Sequence, residues 1–152
     1  MGISLAVSAQ NSGHEAYWVS EGRSLETIER AIEHNLIELK TLEELCDKCS
    51  LIISVCPPHA ATDVAEQVLR HPFKGIYVDA NAISPQRAKD IGDLMDQAGV
   101  AYVDGGIIGG PAWKASSTWL YLSGSNAEEV VACFTEGPLE TEIMGDEIGK
   151  AS

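Results

Sequence analysis

The sequence predicts an α/β fold in which helices cover both faces of a parallel β-sheet. Short apolar runs alternate with amphipathic segments along almost the whole chain, which is the pattern of strands joined by crossover helices. The runs at 51–55, 75–79 and 100–103 show no polar alternation and therefore suit strands buried on both faces. The 152 residues are enough for one domain, and 45% apolar with 22% charged residues is typical of a folded chain.

The first third of the chain carries clear signals for where its helices begin and end. Gly13 is expected to stop the first helix, Ser24 to cap the second, and Thr41 with Glu44 to form a capping box for the third. The predicted elements in chain order are a helix over 1–11, a strand over 16–19, a helix over 25–35, a strand over 36–39 and a helix over 41–49.

The remaining two thirds are predicted to continue the alternation of strand and helix. The pair Pro57-Pro58 ends the first buried strand, Ser84 and Pro85 begin a helix, and Asn126 is expected to cap the last one. The predicted strands are 51–55, 75–79, 100–103, 118–122 and 139–144, and the predicted helices are 60–71, 85–98 and 127–134.

Composition excludes several classes of partner. With 10 basic and 23 acidic residues the net charge is −13, so the chain should repel nucleic acid and anionic membrane surfaces. No apolar run approaches the length of a membrane span, and no basic segment of the kind that opens a secretory signal follows Met1. We therefore expect a cytoplasmic location.

Four cysteines are present, two of them in the pattern Cys46-x-x-Cys49. This spacing occurs in metal and redox sites, but no second pair or nearby histidine follows at zinc-site spacing. The pair lies in a predicted helix with Leu42 and Leu45, where both sulfurs would act as small apolar side chains. We favour that interpretation and expect no metal site.

Four loops follow predicted strands, and in parallel α/β sheets the carboxyl ends of the strands form the ligand site. These candidate site loops are 20–24, 56–59, 80–84 and 105–114.

Three motifs in these loops carry a resemblance to a known family. Val78 to Pro85 reads V-D-A-N-A-I-S-P and resembles V-D-x-S-T-I-S-P, and Tyr102 to Gly110 reads Y-V-D-G-G-I-I-G-G and is similar to F-V-D-A-P-V-S-G-G. Ser54 to Pro58 stands where the family's strand-four loop passes the adenosine half of a dinucleotide. Together they resemble the cofactor-binding domain of the 6-phosphogluconate dehydrogenase and 3-hydroxyisobutyrate dehydrogenase superfamily. Trp113-Lys114 makes the phosphogluconate-dehydrogenase-like members the most similar.

The resemblance implies a Rossmann-like NAD(P)-binding domain over 1–144, with 145–152 beginning the connection to a helical domain. Asn81 would border the nicotinamide, and Cys56, Pro57 and Pro58 would line the adenosine side. Gly109 and Gly110 would let backbone amides reach a small anionic hydroxy acid, and Lys114 would contact its charge. The complete enzyme would be a homodimer or larger.

The turn after the second strand of this family selects the cofactor. Ser20 stands where NAD-specific relatives place an acidic residue, and Arg23 with Ser24 could bind the 2′-phosphate of NADP. Glu21 keeps NAD possible, and an ordinary solvated arginine in a capped turn is the simpler alternative. We predict a preference for NADP.

Two departures from the family concern the first strand and the catalytic residue. No G-x-G-x-x-G fingerprint occurs in the 152 residues, and neither does the G-x-x-x-K-x-x-x-N motif that carries the catalytic lysine. We expect a Rossmann-like sheet that lacks its central first strand, must close the gap or borrow a strand, and anchors the helix over 1–11 poorly. No catalytic residue can be assigned. A non-catalytic remnant that serves as a binding module is the alternative function.

Overall fold

The computed structural model describes all 152 residues, and the alternation predicted from the sequence is present. Six α-helices are formed, namely α1 (Gly2–Asn11), α2 (Leu25–Glu33), α3 (Leu42–Lys48), α4 (Ala61–Leu69), α5 (Pro85–Gln97) and α6 (Ala127–Val131). Seven strands are formed, namely β1 (Tyr17–Val19), β2 (Ile37–Leu39), β3 (Leu51–Ser54), β4 (Ile76–Asp79), β5 (Ala101–Gly109), β6 (Thr118–Ser123) and β7 (Leu139–Gly145). Single 3₁₀ turns lead into α4 (Pro58–Ala60) and follow α6 (Ala132–Phe134). No helix has the length and apolar character needed to cross a membrane.

The strands form two separate sheets. β1 and β2 are a parallel pair, and the other five strands follow the order β3-β4-β5-β6-β7. β3, β4 and β5 are parallel, as predicted, whereas β6 runs antiparallel to β5 and β7 runs parallel to β6. The gap is not closed by direct pairing, because β1 and β3 each keep one unpaired edge within the chain. That a strand is borrowed from elsewhere stays a prediction.

Helices cover both faces of the five-stranded sheet because its central strands alternate their side chains between two cores. Tyr77 and Tyr102 point into a core shared with α4 and α5, and Val78 and Val103 point into a core shared with α1 and α6. All four side chains are at most 8% exposed. The predicted two-sided burial of these strands is therefore confirmed.

The helix caps predicted from local sequence are largely confirmed. Ser24, Thr41 and Ser84 each accept a backbone N–H three residues on, at 3.2, 3.3 and 3.2 Å. Asn126 occupies the N-cap position of α6, but its side chain makes no capping bond. Its Oδ1 accepts the Ser125 hydroxyl at 3.4 Å, and its amide donates to the Glu129 carboxylate at 3.0 Å. The capping role predicted for Asn126 was wrong.

The expectation that the first helix is poorly anchored was also wrong. Ser4, Leu5 and Ser8 of α1 are 1%, 2% and 0% exposed, as well buried as the core residues of α5. Ser4 Oγ accepts the Ala112 N–H at 2.9 Å, and Ser12 Oγ exchanges hydrogen bonds with the backbone of Glu136. Packing against the β5–β6 connection and the chain after α6 holds α1 in place.

Candidate functional site

The loops after β3 and β4 meet in a buried hydrogen-bond network centred on Asn81. The Asn81 Oδ1 atom accepts the Cys56 N–H at 2.6 Å, and its amide nitrogen donates to Ser54 Oγ at 3.0 Å. Its backbone N–H donates to Asp79 Oδ1 at 3.0 Å. Asn81 is only 2% exposed. Its side chain therefore fixes the start of the Cys56–Pro58 turn from beneath, and the role predicted for it beside a nicotinamide stays a prediction.

Asp79 lies at the carboxyl end of β4, directly opposite Asp104 of β5 in the parallel register. Both residues are fully buried, and Asp79 Oδ2 has no hydrogen-bond partner. Burial raises the pKa of the Asp79 carboxyl, and the charge of Asp104 acts in the same direction. The N–H and side chain of Asn81, followed by the Arg87 charge, partly oppose this increase in pKa. The neutral acid form of Asp79 is therefore favoured more than in an exposed carboxyl.

The turn after β3 is exposed at Pro57 and Pro58 and is held at its far end by Arg87 of α5. The guanidinium donates to the Pro58 carbonyl at 2.8 Å through Nη1 and to Thr62 Oγ1 at 3.0 Å through Nη2. Cys56 is half-buried beside Ser54, with 3.7 Å between its sulfur and the hydroxyl oxygen. Thus Cys56, Pro58 and Asn81 are brought together.

The turn after β1 forms a second, separate group. The Arg23 N–H donates to the Ser20 carbonyl at 3.1 Å, and Ser24 Oγ caps α2. The Arg23 side chain is exposed and makes neither an ion pair nor a hydrogen bond. No hydrogen bond joins Ser20, Arg23 or Ser24 to the group around Asn81. The chain therefore presents an unpaired guanidinium at the N-terminus of α2.

The third group lies in the connection between β5 and β6, where the structure corrects a predicted boundary. Residues 105–109, expected to be loop, extend β5 and pair with β6, so that Gly109 lies opposite Thr118. The Gly110 carbonyl accepts Thr118 Oγ1 at 2.7 Å, and the Lys114 carbonyl accepts Ser117 Oγ at 2.6 Å. The predicted loop over 105–114 is therefore correct only from Gly110 onward. Its glycines could not show in advance that residues 105–109 belong to a strand.

The connection folds back over the helices rather than standing free. The Trp113 ring stacks on the His34 ring at the end of α2, with 5.0 Å between centroids and 19° between planes. Gly109, Gly110 and Lys114 are exposed, and no hydrogen bond joins them to Asn81. The three sets of predicted site residues therefore occupy four loops, because the group around Asn81 joins the loops after β3 and β4.

The cysteines form no disulfide, and no cluster of three or more histidine, cysteine or acidic side chains is placed to hold a metal. Cys46 belongs to the core on the α4 and α5 face, and Cys49 packs against it. Burial raises the pKa of both thiols. The interpretation of this pair as apolar core residues is confirmed.

Sequence reasoning missed Arg87 as a site residue and underrated Ser54. Each contacts a residue more than 20 positions away, so no local motif reports the contact. The available signal for Arg87 was its position in the first turn of a helix that leaves the carboxyl end of a buried strand.

Comparison with known proteins identifies a matching family and a related sequence. Residues 1–134 match the family model of the NAD-binding domain of 6-phosphogluconate dehydrogenase. An uncharacterised 28.5 kDa protein from the 7S RNA 5′ region of Methanothermus fervidus is 31% identical over 132 residues, covering 87% of this chain and 50% of that protein.

Solved structures give the same result at the level of the fold. The conserved protein MTH1747, of unknown function and structurally similar to 3-hydroxyacid dehydrogenases, is 33% identical with a TM-score of 0.83, over 97% of this chain and 55% of that one. An imine reductase from Myxococcus stipitatus in complex with NADP+ is 21% identical with a TM-score of 0.81, over 100% of this chain and 54% of that one. A variant of that reductase was solved with NAD+.

The chain spans about half the length of these relatives. The matched family model covers most of the 152 residues and includes the loops after β1, β3, β4 and β5. The fold, with its helices on both faces of a mostly parallel sheet, agrees with that assignment. The chain belongs to the family of NAD-binding domains typified by 6-phosphogluconate dehydrogenase.

Proposed function

We propose that this chain is the NADP-binding domain of an oxidoreductase that resembles the 3-hydroxyacid and 6-phosphogluconate dehydrogenases. The observation that carries the choice of NADP is the Arg23 guanidinium, which is exposed and unpaired in a chain of net charge −13. In so acidic a chain, an arginine with no carboxylate partner is available for an anionic ligand. Ser20 and Ser24 lie in the same turn and add hydroxyl groups.

Two features of this turn would favour binding of a 2′-phosphate. A guanidinium can donate two parallel charge-assisted hydrogen bonds to a phosphate, and the N-terminus of α2 adds partial positive charge. Ser24 already caps α2 through its Oγ atom, which accepts the Thr27 N–H. NAD remains the alternative cofactor, because Glu21 lies in the same turn.

The donor set of the remaining loops fits the rest of a dinucleotide. Helix α1 begins without a side-chain cap and has no acidic residue in its first turn, and the N–H groups of Gly2 and Ile3 would be available to phosphate oxygens. The Ser4 N–H already donates to the Met1 carbonyl at 3.0 Å. The Cys56–Pro58 turn would face the adenosine side, and the loop that contains Asn81 would face the nicotinamide. A bound dinucleotide would supply hydride transfer, and the residues of this chain would bind and orient it.

The substrate side of the proposal is a small anionic hydroxy acid. Gly109 and Gly110 are exposed and would allow backbone amides to approach it, with the Lys114 ammonium as a contact for its charge. Ile108 stands in place of the hydroxyl residue of the family turn, so a hydroxyl contact is missing there. We further propose that the complete enzyme is cytoplasmic and a homodimer or larger.

The proposal is tested by titrating the chain with NADPH and NADH in a calorimeter. Because the G-x-G-x-x-G backbone is absent from these residues, we expect NADPH binding in about the millimolar range. Arg23→Ala should weaken NADPH binding about tenfold and leave NADH binding unchanged. Arg30→Ala, on the helix that follows this turn, is the matched control. Equal losses for both dinucleotides would remove Arg23 from the phosphate site.

The alternative, a non-catalytic binding module, differs from the proposal in dinucleotide binding, because neither function predicts turnover by these 152 residues. Residues 1–152 contain no match to the lysine motif of the family, so we expect no hydride transfer between NADP(H) and small hydroxy acids. The absorbance of the reduced nicotinamide measures this directly. Measurable turnover would contradict the proposed inactivity, and the absence of binding to either dinucleotide would favour the alternative.

A further inference from the structure

We propose that Arg87 is a positioning residue that holds the Cys56–Pro58 turn in shape for a bound dinucleotide. This inference rests on the proposed function. It assigns Arg87 no direct contact with the ligand. Its role is to link the two loops that follow β3 and β4 through a single guanidinium.

The first step is the geometry of the link. Arg87 Nη1 donates to the Pro58 carbonyl at 2.8 Å, and Nη2 donates to Thr62 Oγ1 at 3.0 Å. Pro58 is the first residue of the 3₁₀ turn Pro58–Ala60, and Thr62 lies in the first turn of α4. One rigid fork therefore bridges the turn and the first residues of α4. The planar spacing of the guanidinium donors suits this arrangement, and an ammonium group does not reproduce it.

The second step is why this turn needs an external donor. Neither Pro57 nor Pro58 has a backbone N–H, so the turn has few hydrogen bonds of its own. The Ala60 N–H donates to the Pro57 carbonyl at 2.9 Å, and the Ala61 N–H donates to Pro58. At the other end, Asn81 holds the Cys56 N–H. Asn81 in the loop after β4 and Arg87 in the first turn of α5 therefore fix the two ends of the turn.

The third step is that Arg87 makes no direct ion pair, and its charge acts on Asp79 only from a distance. It forms no ion pair within 4.0 Å, although the chain has 23 acidic residues. Its two bonded acceptors are a neutral carbonyl and a neutral hydroxyl. Its own backbone is fixed, because its N–H donates to the capping Ser84 Oγ at 3.2 Å. The side chain is half-buried against the turn. Arg87 is therefore placed to hold the turn in position through hydrogen bonds.

The consequence concerns both faces of the proposed cofactor site. The turn would line the adenosine side, and the loop from Ala80 to Ser84 would line the nicotinamide side. Because Arg87 lies in the first turn of the helix that Ser84 caps, movement of one loop is transmitted to the other. Loss of the guanidinium should therefore loosen the turn and weaken dinucleotide binding together.

The test uses the whole chain with NADPH as the probe and three variants. Arg87→Met removes both hydrogen bonds, Thr62→Val removes one acceptor with little change in shape, and Arg30→Met on α2 is the charge-matched control. Hydrogen exchange at the Ala60 amide reports the turn, and calorimetry reports NADPH binding. We expect Arg87→Met to speed Ala60 exchange and weaken NADPH binding, each about tenfold, and Thr62→Val to do both to a smaller extent. Arg30→Met should do neither.

The outcomes separate this inference from the function it rests on. If the unmodified chain binds neither NADPH nor NADH, the proposed function fails before any variant is made. If Ala60 exchange accelerates in Arg87→Met but NADPH binding is unchanged, the positioning role is overturned and the proposed function stands. Equal losses of binding in Arg87→Met and Arg30→Met would reveal a general charge effect and also overturn it. Should Arg87→Met fail to fold, Thr62→Val decides.

Discussion

The buried carboxylate of Asp104 accepts a hydrogen bond from the backbone N–H of Ser152 at 3.2 Å. This bond ties the segment after β7 to the middle of β5. The same oxygen accepts the Gly149 N–H at 3.0 Å and Ser123 Oγ at 3.2 Å, and the Ser152 hydroxyl donates to the other oxygen. Both oxygens of Asp104 are therefore occupied, in contrast to Asp79 beside it. Residues 145–152, predicted to begin a connection, are packed against the sheet in this chain.

Removal of this carboxylate should release the segment and destabilise the fold. We expect Asp104→Ala to lower the free energy of unfolding by about 2–3 kcal/mol, because four donors lose an acceptor and some stay buried. Urea unfolding measures the change. Ser152→Ala is the control for the loss of one bond and should cost less than half as much. A change equal to that of Ser152→Ala would mean that the segment is held by other contacts.

The glycine at 106 should be needed for the same attachment. A Cβ atom built at Gly106 would lie well inside contact distance of the Ala151 carbonyl oxygen. We therefore expect Gly106→Ala to push the segment away and cost about 1–3 kcal/mol of unfolding free energy. Gly110→Ala is the matched control, since a Cβ there meets no atom within 4 Å. Equal stability of the two variants in urea would contradict this placement of the segment.

The protonation of Asp79 should make stability depend on pH. Its pKa is raised in the folded chain by burial, so the folded state binds the proton more tightly than the unfolded state. Stability should then fall as the pH rises from about 4, the ordinary value of an aspartate, through the raised value. Asp79→Asn should therefore stabilise the fold at neutral pH by on the order of 1 kcal/mol and lose this advantage in acid.

Thermal unfolding of Asp79→Asn and the parent chain across acid and neutral pH checks this expectation. Asp93→Asn, on the exposed side of α5, removes the same charge without burial and should show no such pH dependence. A constant difference at every pH would show that folding does not change the pKa of Asp79.

The two unpaired strand edges should make the isolated chain prone to self-association. The Ala16 carbonyl and Ser20 N–H face β2, so the N–H and C=O groups of Tyr17 and Val19 face away from it. We expect oligomers or aggregates that grow with concentration, measured by light scattering. Val19→Pro removes one of these free N–H groups and should reduce association while the β1–β2 pair remains. A monomer at all concentrations would contradict this expectation.

The sequence by itself determined the local structure and the family. Ser24, Thr41 and Ser84 cap helices through hydrogen bonds that span three residues, so the residue type and its position suffice to predict them. The apolar runs predicted the buried strands because burial on both faces leaves no polar alternation. The motifs after β3, β4 and β5 indicated the family because they lie in loops whose chemistry is carried by adjacent residues.

The tertiary structure alone decided which distant groups meet. Asn81 reaches Ser54 across 27 positions, Arg87 reaches Pro58 across 29, and Asp104 reaches Ser152 across 48. It also decided that β6 runs antiparallel to β5, that β5 extends through its glycines, and that α1 is held by contacts with the chain after β5. The physical reason is that such contacts depend on how strands pair and how helices pack over the sheet, which no local pattern of residues encodes.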